Sequence, residues 1–166
     1  MNIIYGKAEI RIVITPFALA KISEDLYIIA GKYTPEDHIP FINYFLYLVS
    51  IERGFKAAIL SKNCTKENKN YIKKNIGHDL EKVYLEFKKI FDLDLFTQEE
   101  ETILKNINKL YKEKGFEYFS TVMFDQMLQG FKDLPKLEEI YEMSKKVNQF
   151  IINNNYFRNS IRTAIL

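Results

Sequence analysis

One cysteine, two histidines, four prolines and six glycines occur in 166 residues, and each scarcity removes a class of protein. The single thiol, Cys64, forms no internal disulfide, and no Cys/His pair stands at zinc-ligand spacing, so neither an oxidising compartment nor a structural metal is required. Gly and Pro are too sparse for a collagen-like or low-complexity chain. No apolar run approaches the ~20 residues that span a bilayer, and the stretch after Met1 is too short for a signal peptide. A Gly-rich phosphate loop, a nucleophile elbow, a metalloprotease histidine pair and an EF-hand loop are all missing, which leaves the familiar motif-based enzyme classes without support. These absences lead to the expectation of a cytoplasmic protein with no cofactor, no bound metal and no membrane segment.

What is present is an ordinary globular balance, 47% apolar and 28% charged, enough to bury a sizeable core without staples. The expectation is a single domain over residues 1–166, with its core at about 15–155 and a frayed tail at 156–166. The net charge is only +2, yet it is unevenly spread. Residues 62–76 hold five lysines, Lys62, Lys66, Lys69, Lys73 and Lys74, against Glu67 alone, a local +4. Residues 92–101 then carry Asp92, Asp94, Glu99, Glu100 and Glu101 and no base, a local −5. Two solvated faces of a helical protein explain this more simply than a nucleic-acid footprint does.

Hydrophobic spacing predicts helices almost throughout. Alternating Ile10, Ile12 and Ile14 suggest a short N-terminal strand. Thr15-Pro16 reads as a cap and first helical residue, followed by Leu19, Ile22, Leu26 and Ile29 at steps of three and four, ending near Gly31. After a turn at Thr34-Pro35-Glu36-Asp37, Pro40 opens a second helix with the stripe Phe41, Phe45, Leu48, position 52, Phe55 and Ile59. The basic stretch from Lys66 to Lys74 forms a short helix that Asn75-Ile76-Gly77 stops. Leu80, Val83, Tyr84, Phe87, Ile90 and Phe91 mark the next helix, with Asp79 in the position that a helix dipole favours for an acid. Thr97 and Glu100 have capping-box spacing ahead of Ile103, Ile107 and Leu110. A final helix comes after Pro135 on Leu137, Ile140, Tyr141, Ser144, Val147 and Ile151. Residues 116–132 are aromatic and irregular, a packed connection; a small-molecule pocket there is the less economical reading. The fold class is all-α, an antiparallel up-and-down bundle of about five helices.

Two positions carry chemical interest. Glu52 interrupts the apolar stripe of the second helix, where a carboxylate is costly unless paired. Lys56, four residues on, is its nearest partner by helix geometry; in the alternative, Lys56 reaches solvent and Glu52 meets His78. His78 comes after the lysine-rich segment and precedes Asp79, which assembles a proton acceptor, an orienting acid and nearby cations, the parts of general-base chemistry near a phosphate. The plainer reading makes His78 and Asp79 a helix start and nothing more. His38, in a Pro-flanked turn, has no helical neighbour to orient it.

The segment from Ile51-Glu52-Arg53-Gly54-Phe55-Lys56-Ala57-Ala58 through Ile76-Gly77-His78-Asp79-Leu80 resembles the HEPN family of helical domains, as does Phe116-Glu117-Tyr118-Phe119. The resemblance spans roughly residues 40–120. It implies an antiparallel bundle that often forms homodimers and, in active members, a metal-independent ribonuclease of host defence or toxin–antitoxin systems. Active members carry an arginine upstream of the histidine, in the window filled here by Tyr71, Ile72 and Lys73. Lysine lacks arginine's bidentate fork. Two functions are therefore carried forward. One is a non-catalytic, dimeric binding module for RNA or a partner protein, with Glu52, Lys56, Lys66 and Lys69 as binding candidates. The other is an endoribonuclease in which His78 takes the ribose 2′-hydroxyl proton, Asp79 orients it, and Lys73 or Lys74 stabilises the charge on phosphorus.

Overall fold

A computed structural model describes residues 15–32, 41–112 and 134–154. The short strand expected at residues 10–14, the turn at 34–37, the aromatic connection at 116–132 and the tail at 156–166 lie outside the described residues. The described chain is helical: α1 (Pro16–Lys32), α2 (Phe41–Lys62), α3 (Lys66–Tyr71) running into a π-helical turn (Ile72–Ile76), α4 (Leu80–Phe91), α5 (Gln98–Lys112) and α6 (Leu137–Asn153). No strand occurs among these residues.

The caps act where the sequence places them. The Thr15 hydroxyl accepts from the Ala18 N–H at 3.1 Å. Thr97 and Glu100 complete a reciprocal capping box, the Glu100 N–H on the Thr97 hydroxyl at 3.2 Å and the Thr97 N–H on the Glu100 carboxylate at 2.8 Å. Asp79 is the N-cap of α4, accepting from the Lys82 N–H at 3.1 Å.

The long helix α2 packs against α1, α4 and α6 and forms the centre of the bundle. Cross-contacts fix directions. On α1 and α2, Ser23 pairs with Ser50, Tyr27 with Tyr47, and the Ala30 carbonyl with Asn43, so one index rises as the other falls and the helices are antiparallel. Between α4 and α5, Tyr84 meets Glu101 while the Leu80 N–H meets Asn108, again antiparallel. Phe55, Tyr84, Phe87 and Phe96 pack ring on ring where α2 meets α4 and the loop after it.

In α1 the structure corrects the expected stripe. Leu19 is buried, but Ile22 and Ile29 are exposed and Leu26 is half-buried. The inner face is Leu19, Ala20, Ser23 and Ala30, with Tyr27 packed at its edge. Small residues win because α1, α2 and α6 approach closely around a polar knot. The Ser23 hydroxyl donates to the Ser50 carbonyl at 2.8 Å, and the Asn148 amide donates to the Ser50 hydroxyl at 3.0 Å and to the Ser144 carbonyl at 2.9 Å. Gly54 sits beside this knot because there is no room for more: a Cβ there would lie 2.4 Å from Val147 Cγ1 and 2.9 Å from Ile151 Cδ1.

Candidate functional site

Glu52 is fully buried, at 0% exposure, in the middle of α2. Both partners considered from the sequence reach it at once. Lys56, itself 6% exposed, places Nζ 2.7 Å from Glu52 Oε1. His78 places Nδ1 3.0 Å from Glu52 Oε2. A third group, the Tyr111 hydroxyl on α5, donates to the same Oε2. Burial alone pushes the Glu52 carboxyl up, but the Lys56 ammonium and the hydrogen bonds from Lys56, Tyr111 and His78 outweigh it and hold the group below the ordinary glutamate value. Glu52 is thus a carboxylate, and α2, α5 and the turn before α4 converge on it.

The turn is aimed by its backbone. The π-helical segment ends with the Gly77 N–H on the Ile72 carbonyl at 2.9 Å, and Gly77 takes φ 58°, ψ −127°, a conformation open to glycine and strained for any side chain. The Gly77 carbonyl then accepts from Lys56 Nζ. Lys56 therefore clamps two things together, the buried carboxylate and the turn that carries the histidine.

The consequence for His78 is a fixed tautomer. A carboxylate only accepts hydrogen bonds, so the nitrogen facing it, Nδ1, carries the proton, and in the neutral ring the Nε2 lone pair is left for an incoming group. The side chain is 58% exposed, so that lone pair lies on the accessible side. A histidine held at one nitrogen by a buried acid and open at the other is the geometry of a general base.

Asp79 does not occupy the orienting role that the sequence suggested. Its Oδ1 accepts from the Lys82 N–H and, at 2.9 Å, from the Asn108 amide, and its Oδ2 lies 3.9 Å from Lys112 Nζ. Asn108 in turn accepts from the Leu80 N–H at 2.8 Å. Asp79 and Asn108 tie the start of α4 to α5, while Glu52 orients His78. Sequence reasoning misses Asn108 and Tyr111 because it draws the α5 stripe through Ile103, Ile107 and Leu110; the buried face is Leu104, Ile107, Asn108 and Tyr111, and Ile103 and Leu110 are half-buried. The available signal is their spacing, since Leu104, Ile107, Asn108 and Tyr111 stand at i, i+3, i+4 and i+7, the pattern of one helix face.

Lys66, Lys73 and Lys74 are exposed and Lys69 is half-buried on α3 and the π turn. They flank the approach to His78 in sequence and make no ion pair among the described residues, unlike Lys56, Lys88 and Lys146. No group of three His, Cys, Asp or Glu side chains is placed to hold a metal ion among the described residues, and no helix there is long and apolar enough to cross a membrane. Comparison with known proteins gives no matching family model, no matching curated protein and no matching solved structure.

Proposed function

We propose that this protein acts on RNA, with His78 as the general base of a metal-independent endoribonuclease. The observation that carries the reading is the exposed imidazole pinned through Nδ1 to a fully buried carboxylate. Nε2 takes the proton of a ribose 2′-hydroxyl, and the freed oxygen attacks the adjacent phosphorus. The bond from phosphorus to the 5′-oxygen breaks, leaving a 2′,3′-cyclic phosphate on one fragment; the departing oxygen takes a proton from water to become a 5′-hydroxyl on the other, and the His78 imidazolium returns its proton to solvent. The nucleophile is supplied by the substrate itself. Lys73 and Lys74, without ion-pair partners among the described residues, supply positive charge for the phosphorane oxygens, a role for which arginine would be the better-shaped cation.

A second reading, a helical module that binds RNA or a partner protein without turnover, is favoured by one specific observation. Asp79, the residue expected to tune the histidine, is spent on capping α4 and bridging to α5. In either reading we place the protein in the cytoplasm as a homodimer of the defence or toxin–antitoxin kind. The exposed Ile22 and Ile29 of α1 support a second copy, and light scattering on the purified chain tests it.

Wild-type protein and His78→Ala, incubated without metal with a mixed pool of labelled RNAs, separate the two. Discrete products from wild type alone support the endoribonuclease. Cleavage by both refutes the role of His78, and retention of RNA without cleavage by either supports the binding module.

A further inference from the structure

Resting on the RNA reading above, we infer that Tyr71 is a stacking platform for an unpaired base, and so makes single-stranded rather than duplex RNA the ligand of this surface. Tyr71 ends α3 and is 43% exposed, whereas its neighbours Ile72 and Ile76 are buried and anchor the segment to the bundle. A large ring on the outer side of an anchored segment adds nothing to the core. Its hydroxyl lies 3.4 Å from Glu86 Oε2 on α4, which turns the phenol edge toward that helix.

Charge completes the platform. Glu86 stands on the outer face of α4 with Lys82 four residues before it and Lys89 three residues after it, spacings that put all three on one face. Both lysines are exposed. On the ring's own segment Lys74 lies three residues after Tyr71, the helical spacing of neighbours, whereas Lys69 and Lys73, two residues away on either side, point elsewhere. Lys74, Lys82 and Lys89 make no ion pair among the described residues. Two acids stand near the ring, Glu86 at its hydroxyl and Glu67 one turn before it on α3. An exposed aromatic set among unpaired cations is the arrangement by which proteins bind single strands, bases on the ring and phosphates on the lysines. In a duplex the bases are already stacked on one another, and only the phosphates are available to such a surface.

The test is fluorescence anisotropy with end-labelled oligoadenylate of about ten nucleotides, a length within the usual single-strand site sizes, and with a duplex of equal length. The full-length chain is compared with Tyr71→Ala and Tyr71→Phe, and helical circular dichroism and melting confirm that each variant is folded. Wild type is expected to prefer the single strand. Tyr71→Ala should weaken it by about tenfold or more, the usual effect of removing one stacking ring, while Tyr71→Phe, which keeps the ring and loses only the Glu86 bond, stays near wild type. Oligoadenylate binding that is unchanged in Tyr71→Ala, or a duplex bound as well as the single strand, overturns the stacking role and leaves the RNA reading standing. Failure of wild type to bind or cleave any RNA overturns both.

Discussion

Replacing Glu52 with glutamine removes one charge and almost no volume, and the first cost falls on Lys56. That side chain loses its counter-ion while staying buried, and an ammonium stranded in that way costs about 3 to 5 kcal/mol. Glutamine also offers one accepting oxygen in place of the two that serve Lys56 on one side and Tyr111 and His78 on the other. Urea denaturation should therefore show a loss of about 3 to 5 kcal/mol, and melting should fall by on the order of 10 °C for a chain of this size. Lys56→Met in the Glu52→Gln background should restore much of that loss, because the two costs share one origin and are not additive. The deficit should also depend on pH. The Glu52 carboxyl is held below its ordinary value of 4.5, so its contribution is fully present above that value and disappears as pH falls through the lower folded value. The gap between wild type and Glu52→Gln should hence narrow in acid. A variant within about 1 kcal/mol of wild type at neutral pH, or single and double substitutions that simply add, would refute the buried ion pair on which the site is built.

Nitrogen NMR of the imidazole should show the proton of neutral His78 on Nδ1 in wild type and a mixture of tautomers in Glu52→Gln; equal mixtures in both would remove carboxylate orientation as its cause. Gly77→Ala should cost about 1 to 2 kcal/mol through its positive φ, with no clash since nothing lies within 4 Å of the added Cβ, and should lower any RNA cleavage well beyond that stability loss because the turn no longer aims His78. Gly54→Ala, by contrast, meets Val147 directly, and thermal melting should show a loss of about 1 to 3 kcal/mol from overpacking. Thr97→Ala removes one half of the α5 capping box and should cost about 1 kcal/mol in urea unfolding, with RNA activity unaltered.

The helices are legible in the sequence where one kind of residue lines one face. Leu80, Val83, Tyr84 and Phe87 are buried as their spacing requires, and Gly77 and Thr97 end and begin segments as their chemistry requires. On α1 the same reasoning fails because hydrophobicity does not mark the inner face. There, close helix approach selects Ala20, Ser23 and Ala30, and the larger Ile22 and Ile29 are left outside. The site is half legible for a related reason. Glu52 stands out because it violates a stripe, and Lys56 because helix geometry brings it near. Tyr111 is legible as the i+7 position of the face that Leu104 and Ile107 begin, and only Asn108, a polar residue on that face, hides its role until α5 folds against the start of α4. Whether His78 meets Glu52 or Asp79 is equally hidden, since it depends on the π turn and on Gly77, a backbone geometry that side-chain periodicity does not encode.

The polarity of this cluster bears on whether it serves only the fold. A buried ion pair is often no more stabilising than well-packed apolar residues of the same volume, so Glu52 and Lys56 are poorly explained as devices for stability. They could instead specify the packing of α2 against α5, and Tyr111 alone would suffice as the partner for that. Specification of packing does not account for His78. Its ring is largely exposed, covers little of the core, and uses the carboxylate through one nitrogen only. Had Glu52 needed just another donor, a buried hydroxyl or amide from α4 would have served with less strain than a glycine-dependent turn. The turn, the clamp of Lys56 on the Gly77 carbonyl, and the buried acid have one shared result, a histidine presented to solvent in a single orientation and tautomer. Substitution can separate the two purposes. In either case His78→Ala removes a hydrogen bond to a buried carboxylate and should cost about 1 to 3 kcal/mol. If the cluster only specifies packing, that is the whole effect; if it presents a base, the variant, still folded at the assay temperature, also loses function.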